Sequence, residues 1–182
     1  IQTADTPPLI INDGLFRQNG RCGYVLKPYQ IQSPPDQHLR RPVAPPQQLV
    51  VRILSGYNLP KPKGMKKGEC IDPYVSVSVH DVHDGKSVFK CAETKVVRDN
   101  GLCPVWMSDS MGFPIKQFHI ATLVFVVWDD DGLKLKKDFI AAAAIPISCL
   151  REGYRSVQLY DENNSKNGSF DFSTLLIDVH FQ

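Results

Sequence analysis

The sequence lacks any long apolar run, and its longest candidates have only the length of a β-strand. These are residues 123–127 and 140–145, whereas a helix that crosses a membrane needs about 20 consecutive apolar residues. The first residues, IQTADTPPL, also lack the basic start and apolar stretch of a signal peptide. We therefore expect neither a membrane-spanning helix nor a secretory signal peptide in this sequence. Because the sequence starts without Met, we expect it to be a piece of a longer protein.

An excess of charge of one sign is absent, since 21 Lys and Arg residues nearly balance 19 Asp and Glu residues. Bulk charge therefore says little about nucleic acid, and any partner must be recognised by local patches. We expect no nucleic acid partner, because Trp106 and Trp128 suit a core or an edge and not a base-stacking platform. The five cysteines form no CxxC pair, which disfavours a disulfide scaffold or a zinc site. We expect free, mostly buried thiols in a reducing cytosol. Phosphate-binding glycine motifs are missing too, and no motif supports a nucleophilic cysteine.

Prolines divide the chain into two unequal parts. Residues 31–47, IQSPPDQHLRRPVAPPQ, contain five prolines and predict an extended linker. The first segment, residues 1–30, is too short to bury a core of its own. We expect it to pack loosely or against a neighbouring molecule, and we expect the body, residues 48–182, to fold by itself.

The body has the patterns of β-strands. In YVSVSVH, Val75, Val77 and Val79 alternate with polar residues, which indicates a strand with one buried face. AAAAI (141–145) would suit a helix by propensity, but its short length and its flanking residues, Phe139, Ile140 and Pro146, favour a buried strand. Strands separated by turn clusters such as RDNGLCP and DENNSKNG predict an all-β, two-sheet antiparallel sandwich. The eight predicted strands are 49–56, 74–80, 87–97, 105–113, 121–129, 139–147, 154–160 and 174–181.

Carboxylates cluster directly after the predicted strand 121–129. Asp129 and Asp131 share one side of an extended segment, and their mutual repulsion is relieved by solvent, by protons or by a cation. Ca²⁺ takes six to eight oxygen ligands in flexible geometry and suits such a loop. Asp72 and Asn100 lie in loops that can meet this one at the same edge of a sandwich. A set of ordinary solvated turns is the alternative, because Asp-Asp-Gly is also a common turn sequence.

Two parts of the sequence resemble the phosphoinositide-specific phospholipases C. The stretches LVVRILSGYNLP, IDPYVSV, NGLCPVW and VFVVWDDDGLKLKKDF, followed by EGYRSVQL, resemble the C2 domain of that family. GLFRQNGRCGYVLKP resembles the end of its TIM-type catalytic barrel, and the delta-type enzymes fit best. The resemblance implies an eight-stranded C2-type β-sandwich over residues 48–182, a linker over 31–47, and a barrel remnant with a short helix over 1–30.

The resemblance also implies a calcium site in the acidic loops. A main-chain carbonyl near Cys70 or Ile71 would add a further oxygen. The first loop, KPKGMKKGEC, carries lysines where many C2 domains have an acid, and fewer carboxylates weaken calcium binding. A lysine of this loop could instead pair with the carboxylates and make the domain independent of calcium. The implied calcium ligands are Asp72, Asn100, Asp129, Asp131 and Asp138.

Loop tips are the expected contact with an anionic phospholipid membrane. Near an anionic leaflet each lysine contributes about 1 kcal/mol, and apolar tips can enter the interface. A solvated basic surface is the alternative interpretation. The expected membrane-contact residues are Lys63, Met65, Lys66, Lys67, Leu133, Lys134 and Leu135.

The catalytic histidines of the resembled family lie in the barrel, upstream of this chain. We therefore expect no catalytic residue here, whereas the parent protein would hydrolyse phosphatidylinositol 4,5-bisphosphate to inositol trisphosphate and diacylglycerol. The chain would place that enzyme on a membrane, as a monomer in contact with the rest of the barrel. Two alternatives stay open: a calcium-independent structural or protein-interaction C2 domain, and part of an inactive phospholipase-like scaffold.

Overall fold

A computed structural model describes residues 6–21, 23–26, 47–62, 64–65, 68–83, 86–130, 132 and 137–182. The predicted linker lies outside these ranges except for Gln47, where the first strand begins. Within the described residues, no helix is both long and apolar enough to cross a membrane. One α-helix precedes eight strands, and their bounds are α1 Thr6–Phe16, β1 Gln47–Tyr57, β2 Pro73–His83, β3 Lys86–Glu93, β4 Met111–Ile115, β5 Thr122–Asp129, β6 Asp138–Pro146, β7 Gly153–Gln158 and β8 Thr174–Phe181.

The strands form two four-stranded sheets with the orders β4-β1-β8-β7 and β3-β2-β5-β6. All neighbouring strands run antiparallel. The predicted eight-stranded C2-type sandwich is therefore confirmed. Val75, Val77 and Val79 of β2 all point into the core between the sheets, as their period-two spacing predicts.

Two predicted strands differ from the observed ones, and a side-chain oxygen interrupts the ladder in each case. The strand predicted over 87–97 ends at Glu93, because the Thr94 hydroxyl accepts the Val75 amide where a main-chain carbonyl would otherwise bond. The strand predicted over 105–113 becomes regular only at Met111. Before that point the Ser108 hydroxyl accepts the Ile53 amide, so the segment follows β1 irregularly.

The outer face of β5 and β6 is covered by α1. Ile10 is only 1% exposed and packs with Val124, Ala142 and Ala144. A Cβ atom at Gly14 would lie 2.7 Å from the Ala144 Cβ, so only glycine permits this approach. The expectation that the first segment packs loosely or against a neighbouring molecule is therefore wrong for α1, which packs on the sandwich of its own chain. The small alanine side chains of β6 let the helix approach closely enough to bury its apolar residues.

Arg17 closes the edge of this helix contact. Its guanidinium lies 3.7 Å from the centroid of the Tyr160 ring. Its Nε donates to Asp13 Oδ2 at 2.8 Å, and a terminal nitrogen donates to Asn164 Oδ1 at 2.9 Å. The helix is thus attached both to the β5–β6 sheet and to the loop between β7 and β8.

Candidate functional site at the loop end of the sandwich

Acidic residues from separate loops meet at one end of the β3-β2-β5-β6 sheet. Asp72 immediately precedes β2, whose first residue, Pro73, lies opposite Asp129 at the end of β5. Asp129 in turn lies opposite Asp138 at the start of β6. The sequence interpretation placed these loops at a common edge, and the register of the three strands brings them there.

Asp72 connects the loops through both its side chain and its main chain. Its Oδ1 accepts the Asp99 amide and its Oδ2 accepts the Arg98 guanidinium, each at 2.7 Å. Its own amide donates to Asp129 Oδ1 at 2.7 Å, and its carbonyl accepts the Asp130 amide at 3.1 Å. Both carboxylate oxygens of Asp72 therefore already have hydrogen-bond partners.

Arg98 is the residue that sequence reasoning missed. Besides Asp72, its guanidinium donates to the main-chain carbonyl of Asp130 and to Asp130 Oδ2, both at 3.2 Å. A single cation thus contacts two carboxylates and one carbonyl from different loops. The available signal was an arginine next to Asp99-Asn100, in a loop already assigned to the acidic edge. The sequence interpretation considered only lysines of the first loop as internal cations.

The ion pair between Arg98 and Asp72 holds both groups in their charged forms. Partial burial opposes ionisation of Asp72, but the Asp99 amide and the Arg98 guanidinium outweigh it and lower the pKa of this carboxyl. The hydrogen bond to Asp72 is the main reason that the pKa of Arg98 is raised.

Asn100 uses its side chain to close its own turn. Its Oδ1 accepts the Cys103 amide at 3.0 Å, and its Nδ2 donates to the Cys103 carbonyl at 3.1 Å. Its amide donates to the Ile71 carbonyl at 3.1 Å. Two of the expected calcium ligands, the Asn100 side chain and the Ile71 carbonyl, are therefore already hydrogen-bonded.

The described residues do not fit a calcium ion in this arrangement. Asp129 is nearly buried at 3% exposure and Asp138 is half-buried. Within the described parts of the chain, no group of three or more His, Cys, Asp and Glu side chains is arranged to hold a metal ion. Asp131 lies outside the described residues. The structure therefore brings Asp72, Asn100, Asp129 and Asp138 to one end without forming a ligand shell from them.

Most expected membrane-contact residues lie outside the described ranges, and Met65 is the exception. Met65 is half-buried and packs against the core cluster, so it is not a free apolar tip. Lys137 lies at the same end, where its Nζ pairs with Glu93 Oε1 at 3.0 Å. The residues outside the described ranges are Lys63, Lys66, Lys67, Leu133, Lys134 and Leu135.

The four described cysteines are free, as expected, but they are exposed and not buried. Cys91 lies on the edge strand β3, whose residues face solvent along most of its length. The other three lie in loops or in the short helical turn after β6. The expectation of mostly buried thiols is therefore wrong for these positions, which are Cys70, Cys91, Cys103 and Cys149.

Residues 47–162 match the C2 domain family. The chain belongs to that family. It is 41% identical over 164 residues to human inactive phospholipase C-like protein 2, a match that covers 85% of this chain and 14% of the relative. It is 38% identical over 158 residues to human 1-phosphatidylinositol 4,5-bisphosphate phosphodiesterase delta-4, covering 84% of this chain and 20% of the relative. These relatives confirm the resemblance to phosphoinositide phospholipases C.

A solved structure shares the fold of this chain. The crystal structure of PLC21 from S. officinalis aligns with a TM-score of 0.74 at 22% identity, covering 97% of this chain and 21% of that one. The chain thus spans about a fifth or less of the phospholipase relatives that it matches.

Proposed function

We propose that this C2 domain docks a phosphoinositide phospholipase C-like protein on anionic phospholipid membranes from the cytoplasm. The convergence of the loops before β2, after β3 and after β5 at one end of the sandwich carries the proposal. The sequence places Lys66 and Lys67 in the first of these loops and Lys134 in the last. Each lysine near an anionic surface contributes about 1 kcal/mol to binding.

Calcium is not a requirement of this docking. The acidic side chains would repel an anionic membrane unless a cation neutralised them. Arg98 already pairs with Asp72 and Asp130, and Lys137 pairs with Glu93. With these carboxylates paired, we propose that the lysines which the sequence places in the loops attract lipid headgroups without a bridging metal ion.

Vesicle sedimentation tests the docking function. The 182-residue chain is mixed with phosphatidylcholine vesicles that contain phosphatidylserine, in calcium and in chelator. We expect sedimentation in both conditions, and we expect added salt to weaken it because salt screens the attraction. Sedimentation with pure phosphatidylcholine should be absent.

A pair of matched double variants tests the docking surface. Lys66→Gln with Lys67→Gln removes two positive charges from the loop end, and we expect it to reduce sedimentation. Lys86→Gln with Arg151→Gln removes the same charge from the opposite end of the sandwich, where Lys86 begins β3 and Arg151 lies between β6 and β7. Equal losses in the two double variants, or no binding by the unmodified chain, would refute docking through the loop end.

The domain division of the sequence interpretation is part of the proposal. Residues 1–30 are proposed as the end of the catalytic barrel, residues 31–47 as a linker and residues 48–182 as the C2 domain. Packing of α1 on β5 and β6 supports this division, because the proposed barrel end then contacts the sandwich through a buried apolar interface. The parent protein is then proposed to hydrolyse phosphatidylinositol 4,5-bisphosphate.

An inactive parent is the second candidate, and the 41% identity to an inactive phospholipase C-like protein favours it. The docking role of the C2 domain would be the same in both cases. Hydrolysis of phosphatidylinositol 4,5-bisphosphate by the complete parent protein separates them. Release of inositol trisphosphate supports an enzyme, whereas a folded parent without release supports the scaffold.

A further inference from the structure

Arg98 contacts the kinds of atom that a calcium ion would take at this end of the sandwich. Its partners are one carboxylate oxygen of Asp72, one carboxylate oxygen of Asp130 and the main-chain carbonyl of Asp130. Carboxylate and carbonyl oxygens are also the ligands that Ca²⁺ prefers. The distances, 2.7 to 3.2 Å, are those of hydrogen bonds from a guanidinium.

We propose that Arg98 is a built-in counter-ion that takes the place of calcium between Asp72 and Asp130, so that calcium can bind there only by displacing it. The inference rests on the proposed docking function, because it names what controls the charge of the docking end. It explains how loops with several carboxylates can face an anionic membrane without a metal ion.

The geometry of Asp72 supports this inference. A calcium ion needs six to eight oxygens at 2.3–2.6 Å. Asp72 Oδ2 accepts Arg98, and its Oδ1 accepts the Asp99 amide, so Asp72 has no oxygen without a hydrogen bond. The planar guanidinium presents several donors in a rigid fork, which suits oxygens from two separate loops.

The surrounding hydrogen bonds support it independently. The Asn100 Oδ1 accepts the Cys103 amide, and the Ile71 carbonyl accepts the Asn100 amide. Both amides belong to the loop between β3 and β4. Asp129 Oδ1 accepts the Asp72 amide. A calcium ion would therefore have to break several of these bonds as well as the ion pair, which lowers its apparent affinity.

Arg98 can be removed without opening the core, because its side chain is 58% exposed. Arg98→Gln keeps a polar side chain, which is shorter than that of arginine, and abolishes the charge. The carboxylates of Asp72 and Asp130 then lose their counter-ion, and their mutual repulsion favours an external cation. The variant should consequently gain affinity for calcium while it keeps the fold.

Calcium titration of the 182-residue chain tests the inference without any lipid. We expect calorimetry to show binding weaker than about 1 mM for the unmodified chain and at least roughly tenfold tighter binding for Arg98→Gln. Calcium should also raise the Tm of Arg98→Gln more than that of the unmodified chain. Arg151→Gln removes the same charge at the opposite end and should behave like the unmodified chain.

A second substitution assigns any gained binding to the proposed position. Asp72→Asn in the Arg98→Gln background should abolish the gain, because it removes a carboxylate of the site. If the unmodified chain and Arg98→Gln have the same calcium affinity, whether both bind or neither binds, the inference is wrong. It is equally wrong if Arg98→Gln gains affinity that Asp72→Asn leaves unchanged.

Vesicle sedimentation separates this inference from the docking function. With phosphatidylserine vesicles, Arg98→Gln should sediment better in calcium than in chelator, whereas the unmodified chain should show no such difference. If the calorimetric gain is found and neither chain sediments, the docking proposal fails and the role of Arg98 stands. If both chains sediment equally in all conditions and calorimetry shows no gain, docking stands and the role of Arg98 fails.

Discussion

Arg17 and Arg98 each join segments that are far apart in the sequence, but they do so in different surroundings. The Arg17 side chain is 22% exposed, stacks on Tyr160, and lies beside the apolar contact between α1 and β6. The Arg98 side chain is 58% exposed, and its described hydrogen bonds go to the carboxylates of Asp72 and Asp130 and to the Asp130 carbonyl.

We infer from this difference that Arg17 stabilises the interface between α1 and the sandwich, whereas Arg98 controls the charge of the loop end. A partly buried, stacked guanidinium adds packing to its ion pair, whereas exposed ion pairs contribute little to stability because water and salt screen them. Substitutions at the helix contact should therefore change the free energy of unfolding. Substitutions at Arg98 should mainly change which cations the loop end binds.

The largest effect is expected for Gly14→Val. The first added atom would lie 2.7 Å from the Ala144 Cβ and 2.8 Å from its carbonyl oxygen, so the helix must move away from β6. We expect urea unfolding to show a loss of about 2 kcal/mol, with faster hydrogen exchange in α1. Gln18→Val, at an exposed position of the turn that follows α1, is the control and should cost much less. Equal losses for the two variants would show that the close approach is not needed.

A smaller loss is expected for Arg17→Ala. The substitution removes the bonds to Asp13 and Asn164 together with the stacking on Tyr160, and we expect it to cost about 1 kcal/mol in urea unfolding. Arg21→Ala is the matched control, because Arg21 lies 5.4 Å from the same ring centroid and is 45% exposed. If Arg21→Ala costs as much as Arg17→Ala, the stacked geometry contributes nothing.

The two arginines also show where sequence reasoning succeeds and where it stops. Alternation at Val75, Val77 and Val79 predicts a strand because a β-sheet buries every second residue, and the order of the motifs placed Asp72 near Asp129. An arginine in a polar loop has the same sequence signature whether it is solvated or paired, so Arg98 was not identified.

The packing of α1 on the outer face of β6 could not be predicted from the sequence for a related reason. Burial of both faces of β6 is compatible with a run of alanines, but the sequence does not say what covers the outer face. The contact between Gly14 and Ala144 joins residues 130 positions apart in the chain, and no local pattern reports such a pairing. Local periodicity thus predicts the elements, whereas contacts between distant side chains come only from the assembled fold.

The smallest expected effect is the dependence of stability on pH, and it compares the two regions through Asp13 and Asp72. Burial opposes the ionisation of each carboxyl. Hydrogen bonds from Asn164 and Arg17 outweigh burial at Asp13 and lower its pKa. Hydrogen bonds from the Asp99 amide and Arg98 do the same at Asp72. A carboxyl with a lowered pKa in the folded state stabilises the fold fully above its unfolded pKa, near about 4, and this stabilisation is lost as the pH falls through the folded pKa.

Urea unfolding between neutral pH and about pH 3 measures this loss. Asp13→Asn and Asp72→Asn should each be less stable than the unmodified chain at neutral pH and should lose less on acidification, because neither carries the titrating group. Relative to the intrinsic exchange rate at each pH, the amides of α1 in the unmodified chain should lose protection from hydrogen exchange in acid, since protonation of Asp13 weakens its bonds to Arg17. If both variants lose stability in acid as steeply as the unmodified chain, other carboxyls dominate the acid response, and neither arginine acts through its paired aspartate.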